Sequence, residues 1–246
     1  MRGFDNQLNS GKDGDLVFSL ADVLRKMMNF KNISGWHLPF LLLLGLFSVS
    51  ARATDSLLIL GDSLSAGYRM PADQAWPALL NIKWQRQPGG IQVINGSISG
   101  DTAAQGLARL PGLLKLYKPR WVVIELGGND GLRGFAPPAI EQDLTKTIQT
   151  VKQANAQPML MQILLPPNYG QRYIASFSAI YPALAQRFSI PLLPFFMEQV
   201  YLKPQWMQDD GIHPSPAAQP FIAEWMAERL VPLLKHDATG NGQRHE

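Results

Sequence analysis

From Ser56 onward, short apolar runs alternate with stretches of helical apolar spacing, and no other feature constrains the fold as much. The runs are Ser56–Leu60 (SLLIL), Ile91–Asn95 (IQVIN), Trp121–Leu126 (WVVIEL), Pro158–Ile163 (PMLMQI) and Pro191–Phe196 (PLLPFF). Continuous apolar runs of this length predict strands covered on both faces, as in parallel sheets. Between them, Trp76–Gln85, Thr102–Tyr117, Pro138–Ala154 and Gln171–Phe188 space their apolar residues as helices do. A last helix is predicted over Pro216–Leu234, with Phe221, Trp225, Met226, Leu230 and Leu234 at helical intervals and Pro216 as its N1 proline. Alternation of this kind implies right-handed crossovers and an α/β fold, a three-layer α/β/α sandwich on a five-stranded, mostly parallel sheet. Ligands of such sheets bind at the carboxyl ends of the strands.

Residues 1–53 read differently. No charged side chain lies between Lys31 and Arg52, and the apolar centre, Leu38–Val49, is twelve residues long. Crossing a bilayer takes about 20 apolar residues, so twelve fits the core of a secretory signal. Ala51-Arg52-Ala53 supplies small residues for cleavage, giving a signal peptide at 27–53 and an exported, periplasmic mature chain from Thr54. The alternative is an uncleaved anchor or a buried helix. Residues 1–26 precede the signal awkwardly and read as an over-extended start or a leader, with Met27 or Met28 the better start. The domain is expected over 54–235 and a flexible tail over 236–246.

The net charge of +3 invites a nucleic-acid reading, but six of the 22 basic residues lie in 1–53 with four of the 19 acidic ones. The remainder holds 16 basic against 15 acidic residues, too balanced to attract a phosphate backbone. Absence of cysteine excludes disulfides, thiolate metal sites and a cysteine nucleophile.

Each polar segment of unusual chemistry follows a predicted strand or stands near the C-terminus. After the first strand, Gly61-Asp62-Ser63-Leu64-Ser65 places a serine to project from the sheet edge; the plain alternative is a helix N-cap. After the second comes Gly100, in SISGDT, at the expected start of a helix where backbone N–H groups lack partners. After the third comes Asn129, in GGND, with a side-chain amide. Two such donors beside Ser63 would form an oxyanion hole, although glycine and asparagine are also ordinary turn residues. Asp209-Asp210-Gly211-Ile212-His213 stands near the C-terminus. His37 lies in the signal, and His236 and His245 in the tail, which leaves His213 as the imidazole of the domain. Imidazole ordinarily titrates near about 6.5, within reach of proton transfer at neutrality. Asp210 is placed to turn back onto His213 and fix its tautomer. A metal site at Asp210 and His213 would find no further histidine or cysteine ligand.

The order Ser, Gly, Asn, Asp-x-x-His resembles the four sequence blocks of the GDSL, or SGNH, hydrolase superfamily, and LLILGDSLSAGYRM, ELGGNDGLRGF and PQWMQDDGIHP carry the likeness from about Asp55 to His236. The turn at Pro88-Gly89-Gly90 departs from the pattern by its length. The resemblance implies a flavodoxin-like sheet and a serine acyl hydrolase. Ser63 would be the nucleophile, Asp210 and His213 would complete a triad, and the N–H groups of Ser63 and Gly100 with the Asn129 amide would form the oxyanion hole. It also implies a monomer acting on small acyl esters and thioesters, with no cofactor, metal or nucleic acid and no stable membrane insertion after signal cleavage.

Two loops bear on the substrate. Leu132 and Phe135, between glycines, follow the Asn129 block, and Leu165 and Tyr169 follow the fourth strand. Either set is ordinary loop packing or the lining of an apolar groove, which would favour fatty acyl thioesters and lysophospholipids. A carbohydrate O-acetyl esterase would need a short polar site there. A non-catalytic lipid- or glycan-binding module would not need Ser63 and His213 together.

Overall fold

Every residue of the first strand, β1 (Ser56–Gly61), is buried, and so is every residue of β3 (Trp121–Glu125). In the computed structural model, which describes residues 55–240, these two strands form the middle of a five-stranded sheet. With β2 (Gln92–Asn95), β4 (Gln157–Met161) and β5 (Leu192–Leu193), the order is β2-β1-β3-β4-β5 and every pairing is parallel. The described residues belong to one unit, Ala53–Glu246. The expected leader at 1–26 and signal peptide at 27–53 lie outside them. Among the described residues, no helix is long and apolar enough to cross a membrane.

Five long helices cover the sheet: α2 (Trp76–Gln85), α3 (Ala103–Tyr117), α5 (Pro137–Gln153), α6 (Gln171–Phe188) and α8 (Gln219–Gly240). The links are α1 (Ser63–Ala66), α4 (Gly128–Leu132) and α7 (Met197–Val200). Right-handed crossovers send α2, between β1 and β2, to one face, where it packs against α8. The later crossovers run the opposite way along the sheet, and α3, α5 and α6 pack in succession. This is the three-layer sandwich that the alternation predicts. Long-range polar contacts lock the layers: buried Gln219, at the start of α8, accepts the Trp76 N–H that opens α2, at 2.9 Å.

Several predicted boundaries move for identifiable reasons. β5 covers two residues instead of Pro191–Phe196, because prolines at 191 and 194 cannot donate to a ladder. β4 stops at Met161 instead of Ile163, where that short partner ends, and β3 stops at Glu125. Pro216 is not the N1 residue of the last helix. It opens a 3₁₀ turn, Pro216–Ala218, and the proline in the first helical turn is Pro220. α8 then continues to Gly240, beyond the expected start of the tail at 236.

The strand order changes direction between β1 and β3, where open α/β sheets form their crevice. Ser63 follows β1 and Asn129 follows β3, so both flank it.

Candidate active site

Ser63 is the first residue of α1, and the buried carboxylate of Asp62 caps that helix by accepting the Leu64 N–H at 3.0 Å. The helix is a single turn, closed by Gly67 in the left-handed region. The serine hydroxyl lies 2.8 Å from Nε2 of His213, and Nδ1 of the same ring lies 2.8 Å from Oδ2 of Asp210. The other Asp210 oxygen accepts the N–H groups of Ile212 at 2.9 Å and His213 at 3.0 Å. Desolvation pushes the Asp210 carboxyl up, but these N–H groups and the imidazole together outweigh it and hold the carboxyl at about 2. A carboxylate ionised throughout the neutral range fixes the imidazole with its proton on Nδ1, leaving Nε2 to accept from the serine.

The loop carrying His213 is tied to the loop after the serine. The Tyr68 ring stacks on the imidazole with centroids 4.1 Å apart. The Gln208 side-chain amide donates to Tyr68 O at 2.9 Å and to Pro214 O at 3.0 Å, while its backbone N–H donates to His213 O at 2.8 Å. An isolated bridge between Met207 and Pro214 closes the loop's base.

The two other expected donors sit as follows. Gly100 is not at the helix start. It occupies the third position of a turn closed by Asp101 N–H to Ile98 O, at φ +86°, where glycine is favoured, and the helix cap proper is Thr102. Among the described residues, neither the Ser63 N–H nor the Gly100 N–H has an acceptor. Asn129 follows Gly127, which stands at φ +104° with its Cα so close to the Tyr181 hydroxyl that a β-carbon would fall 2.3 Å from it. The Asn129 amide donates to Oδ2 of Asp62 and to Asp101 O, each at 3.0 Å. An oxyanion at this nitrogen would therefore share a proton already engaged. The neighbouring Asp130 does something else, accepting the Ala103 N–H that begins α3.

A cavity of about 590 Å³ opens beside Ser63 and His213. Leu132 and Leu165 line it, with Ile163, Pro166, Phe195 and Ile212. Phe135 and Tyr169 are not among the lining residues. Phe135 is 44% exposed, its backbone turned by a bond from its N–H to Asp130 O, and the Tyr169 hydroxyl is spent on Leu132 O. Among the described residues, no group of three or more His, Asp or Glu side chains is arranged to hold a metal. Sequence reasoning missed Asp62, Tyr68 and Gln208, whose contacts with Asn129, His213 and Pro214 bring together segments far apart in the chain or make use of plain loop residues.

Residues 59–219 match the GDSL-like lipase/acylhydrolase family. The chain is 67% identical over 212 residues to thioesterase 1/protease 1/lysophospholipase L1 of Escherichia coli K12, covering 86% of this chain and all of that protein. It is 53% identical over 187 residues to an arylesterase of Vibrio mimicus, across 76% of this chain and 94% of the relative. Among solved structures, the psychrotrophic esterase EstA from Pseudoalteromonas sp., inhibited by monoethylphosphonate, superposes with a TM-score of 0.72 at 40% identity, over 74% of this chain and 99% of that one.

Proposed function

From the premise that this chain belongs to the GDSL-like lipase/acylhydrolase family and is an acyl hydrolase, we propose that it hydrolyses fatty acyl thioesters, lysophospholipids and simple esters through an acyl-enzyme on Ser63. The observation that carries the assignment is the unbroken chain Ser63–His213–Asp210, with 2.8 Å at each link. Nε2 of His213 takes the hydroxyl proton as Oγ attacks the acyl carbonyl, and the ionised Asp210 stabilises the imidazolium that results. The oxyanion is received by the N–H groups of Ser63 and Gly100 and by the Asn129 amide. His213 returns the proton to the departing alcohol or thiolate as the carbon–oxygen or carbon–sulfur bond breaks. Water then attacks the acyl-serine by the same route and frees the acid. No cofactor enters any step.

The apolar cavity beside Ser63 supports a fatty acyl chain over the acetyl group of a carbohydrate ester, and a relative named thioesterase and lysophospholipase supports the same choice. The enzyme works as a monomer in the periplasm after cleavage behind Ala53; the twelve-residue apolar centre and Ala51-Arg52-Ala53 support the export and the cleavage site. N-terminal sequencing of exported protein is expected to start near Thr54; another start counts against the cleavage site.

Initial rates on p-nitrophenyl esters from acetyl to palmitoyl test the substrate class. Retained turnover at medium and long chains is expected. A fall beyond butyryl points to an acetyl esterase, and no turnover to a binding module. An alkylphosphonate is expected to add to Ser63 by intact mass, with no adduct on Ser63→Ala; an adduct elsewhere removes Ser63 from its role.

A further inference from the structure

Beneath the nucleophile turn lies a pair of acids for which the reaction has no use. Glu125 ends β3 and is completely buried, and Asp62 is 3% exposed. Asp62 directly follows β1, whose last residue, Gly61, is paired with Glu125 across the sheet. Glu125 Oε2 accepts the Ser65 hydroxyl at 2.8 Å and the Asp62 N–H at 3.3 Å. Its contact with the turn is close enough that a β-carbon on Gly61 would fall 2.6 Å from that oxygen. Glu125 Oε1 is buried with no hydrogen-bond partner.

Among the described residues, neither carboxyl forms an ion pair. The Arg109 guanidinium, on α3 beside the same turn, is bound to Asp101 at 2.6 Å and to the carbonyls of Gly61 and Gly96. The remaining ionisable neighbours, Asp101, Asp130 and the Tyr181 hydroxyl, bring no positive charge. Two adjacent carboxylates without a cation would repel each other in a medium that screens poorly.

The donors decide where a proton resides. Both Asp62 oxygens are occupied, Oδ1 by the Leu64 N–H and Oδ2 by the Asn129 amide. Those bonds favour the ionised form of Asp62, whereas the unpartnered Oε1 of Glu125 has room to carry hydrogen. We propose that Glu125 is a positioning residue that stays a neutral carboxylic acid at working pH, accepts the Asp62 N–H and the Ser65 hydroxyl through Oε2, and thereby holds Asp62 as the shared anchor of the nucleophile helix and the Asn129 amide. The proposal rests on the triad reading above and adds a buried acid, which touches no reacting atom. Burial and the neighbouring Asp62 charge push the Glu125 carboxyl well up, in keeping with this arrangement.

Glu125→Gln preserves the shape, keeps an acceptor oxygen for the Asp62 N–H and the Ser65 hydroxyl, and cannot ionise. It is expected to keep kcat within about threefold and KM unchanged, whereas Glu125→Ala lowers kcat by about a hundredfold at constant KM, the size of effect that a small misplacement at a site produces. Infrared difference spectra of wild type minus Glu125→Gln at pH 8 are expected to show a buried carboxylic-acid C=O band. Absence of the band, or equal loss of kcat in the Gln and Ala variants, would overturn the proposal, because a charged Glu125 would then be required. Normal kcat in folded Glu125→Ala would equally remove its positioning role. Should the Ala variant not fold, the band and the Gln variant decide alone. The infrared band does not depend on Ser63, so failure of the triad reading, seen as full activity in Ser63→Ala, is separable from failure of this one.

Discussion

Asn129 is where the proposed charge-stabilising role and an observed structural role fall on one side chain. Its amide bridges Asp62 and Asp101 in the resting enzyme, which makes it part of the scaffold as well as a donor beside Ser63. If it also binds negative charge that appears only in the transition state, Asn129→Ala lowers kcat and kcat/KM together with KM nearly unchanged. Removal of such a donor costs about 10²–10³ in kcat. Loss of the two bonds also lowers the melting temperature, so kcat and Tm are measured on one preparation; a destabilised variant with normal turnover takes Asn129 out of the oxyanion hole. Residues of this kind are legible in a sequence because a polar side chain directly after an apolar run stands out. Ser63 and Asn129 stand out in that way, whereas His213 is singled out by the scarcity of histidine in the domain. In the sequence Asp62 is only a part of the serine's motif, and its bond to Asn129, 67 positions away, has no sequence signal. Phe135 and Tyr169 are not among the residues lining the cavity, and hydrophobic character next to a site does not say which way a loop residue turns.

At the scale of elements, the predicted strands and helices all exist, and the errors fall where backbone hydrogen bonding overrides apolar pattern. The run PLLPFF is apolar along its whole length, yet its prolines leave only Leu192–Leu193 able to pair. The loop from Pro204 to Ser215 has no periodicity at all, and its shape comes from a few directed bonds. Gln208 supplies three of them, joining the His213 loop to Tyr68 on the segment that follows Ser63. Gln208→Ala is accordingly expected to lower kcat by about tenfold or more with little change in KM, because the imidazole loses its fixed distance from Ser63. A slower reaction with the phosphonate accompanies it. Unchanged kcat alongside a lower melting temperature would reduce Gln208 to a loop brace. Glutamine in a polar loop looks like ordinary solvated surface, which is why the sequence hid it.

For the whole molecule, the ionisable groups beneath and beside the site set opposing dependences of stability on pH. Burial drives the Asp62 carboxyl up from 3.8 to about 7 and the Glu125 carboxyl well above 4.5, so between about pH 4 and 7 the folded chain holds protons that the unfolded chain has released. The contribution of these two groups is complete below their unfolded values and is lost as pH rises, first through Asp62 and later through Glu125. Each proton retained only by the folded state tilts stability by about 1.4 kcal/mol per pH unit. Asp210 acts in the opposite sense. Held at about 2, it contributes stability above about pH 4 that disappears as pH falls toward 2. Taken together, these three groups favour the fold most on the acidic side of neutrality, whereas an imidazole base in the proposed mechanism works where it is neutral. Urea unfolding between pH 5 and 8 is expected to show the midpoint falling with pH, and Glu125→Gln to reduce that slope by about one proton's worth. A midpoint that rises over this range, or a slope that Glu125→Gln leaves intact, would mean that the buried pair is already ionised in the folded protein and that some other contact absorbs its repulsion.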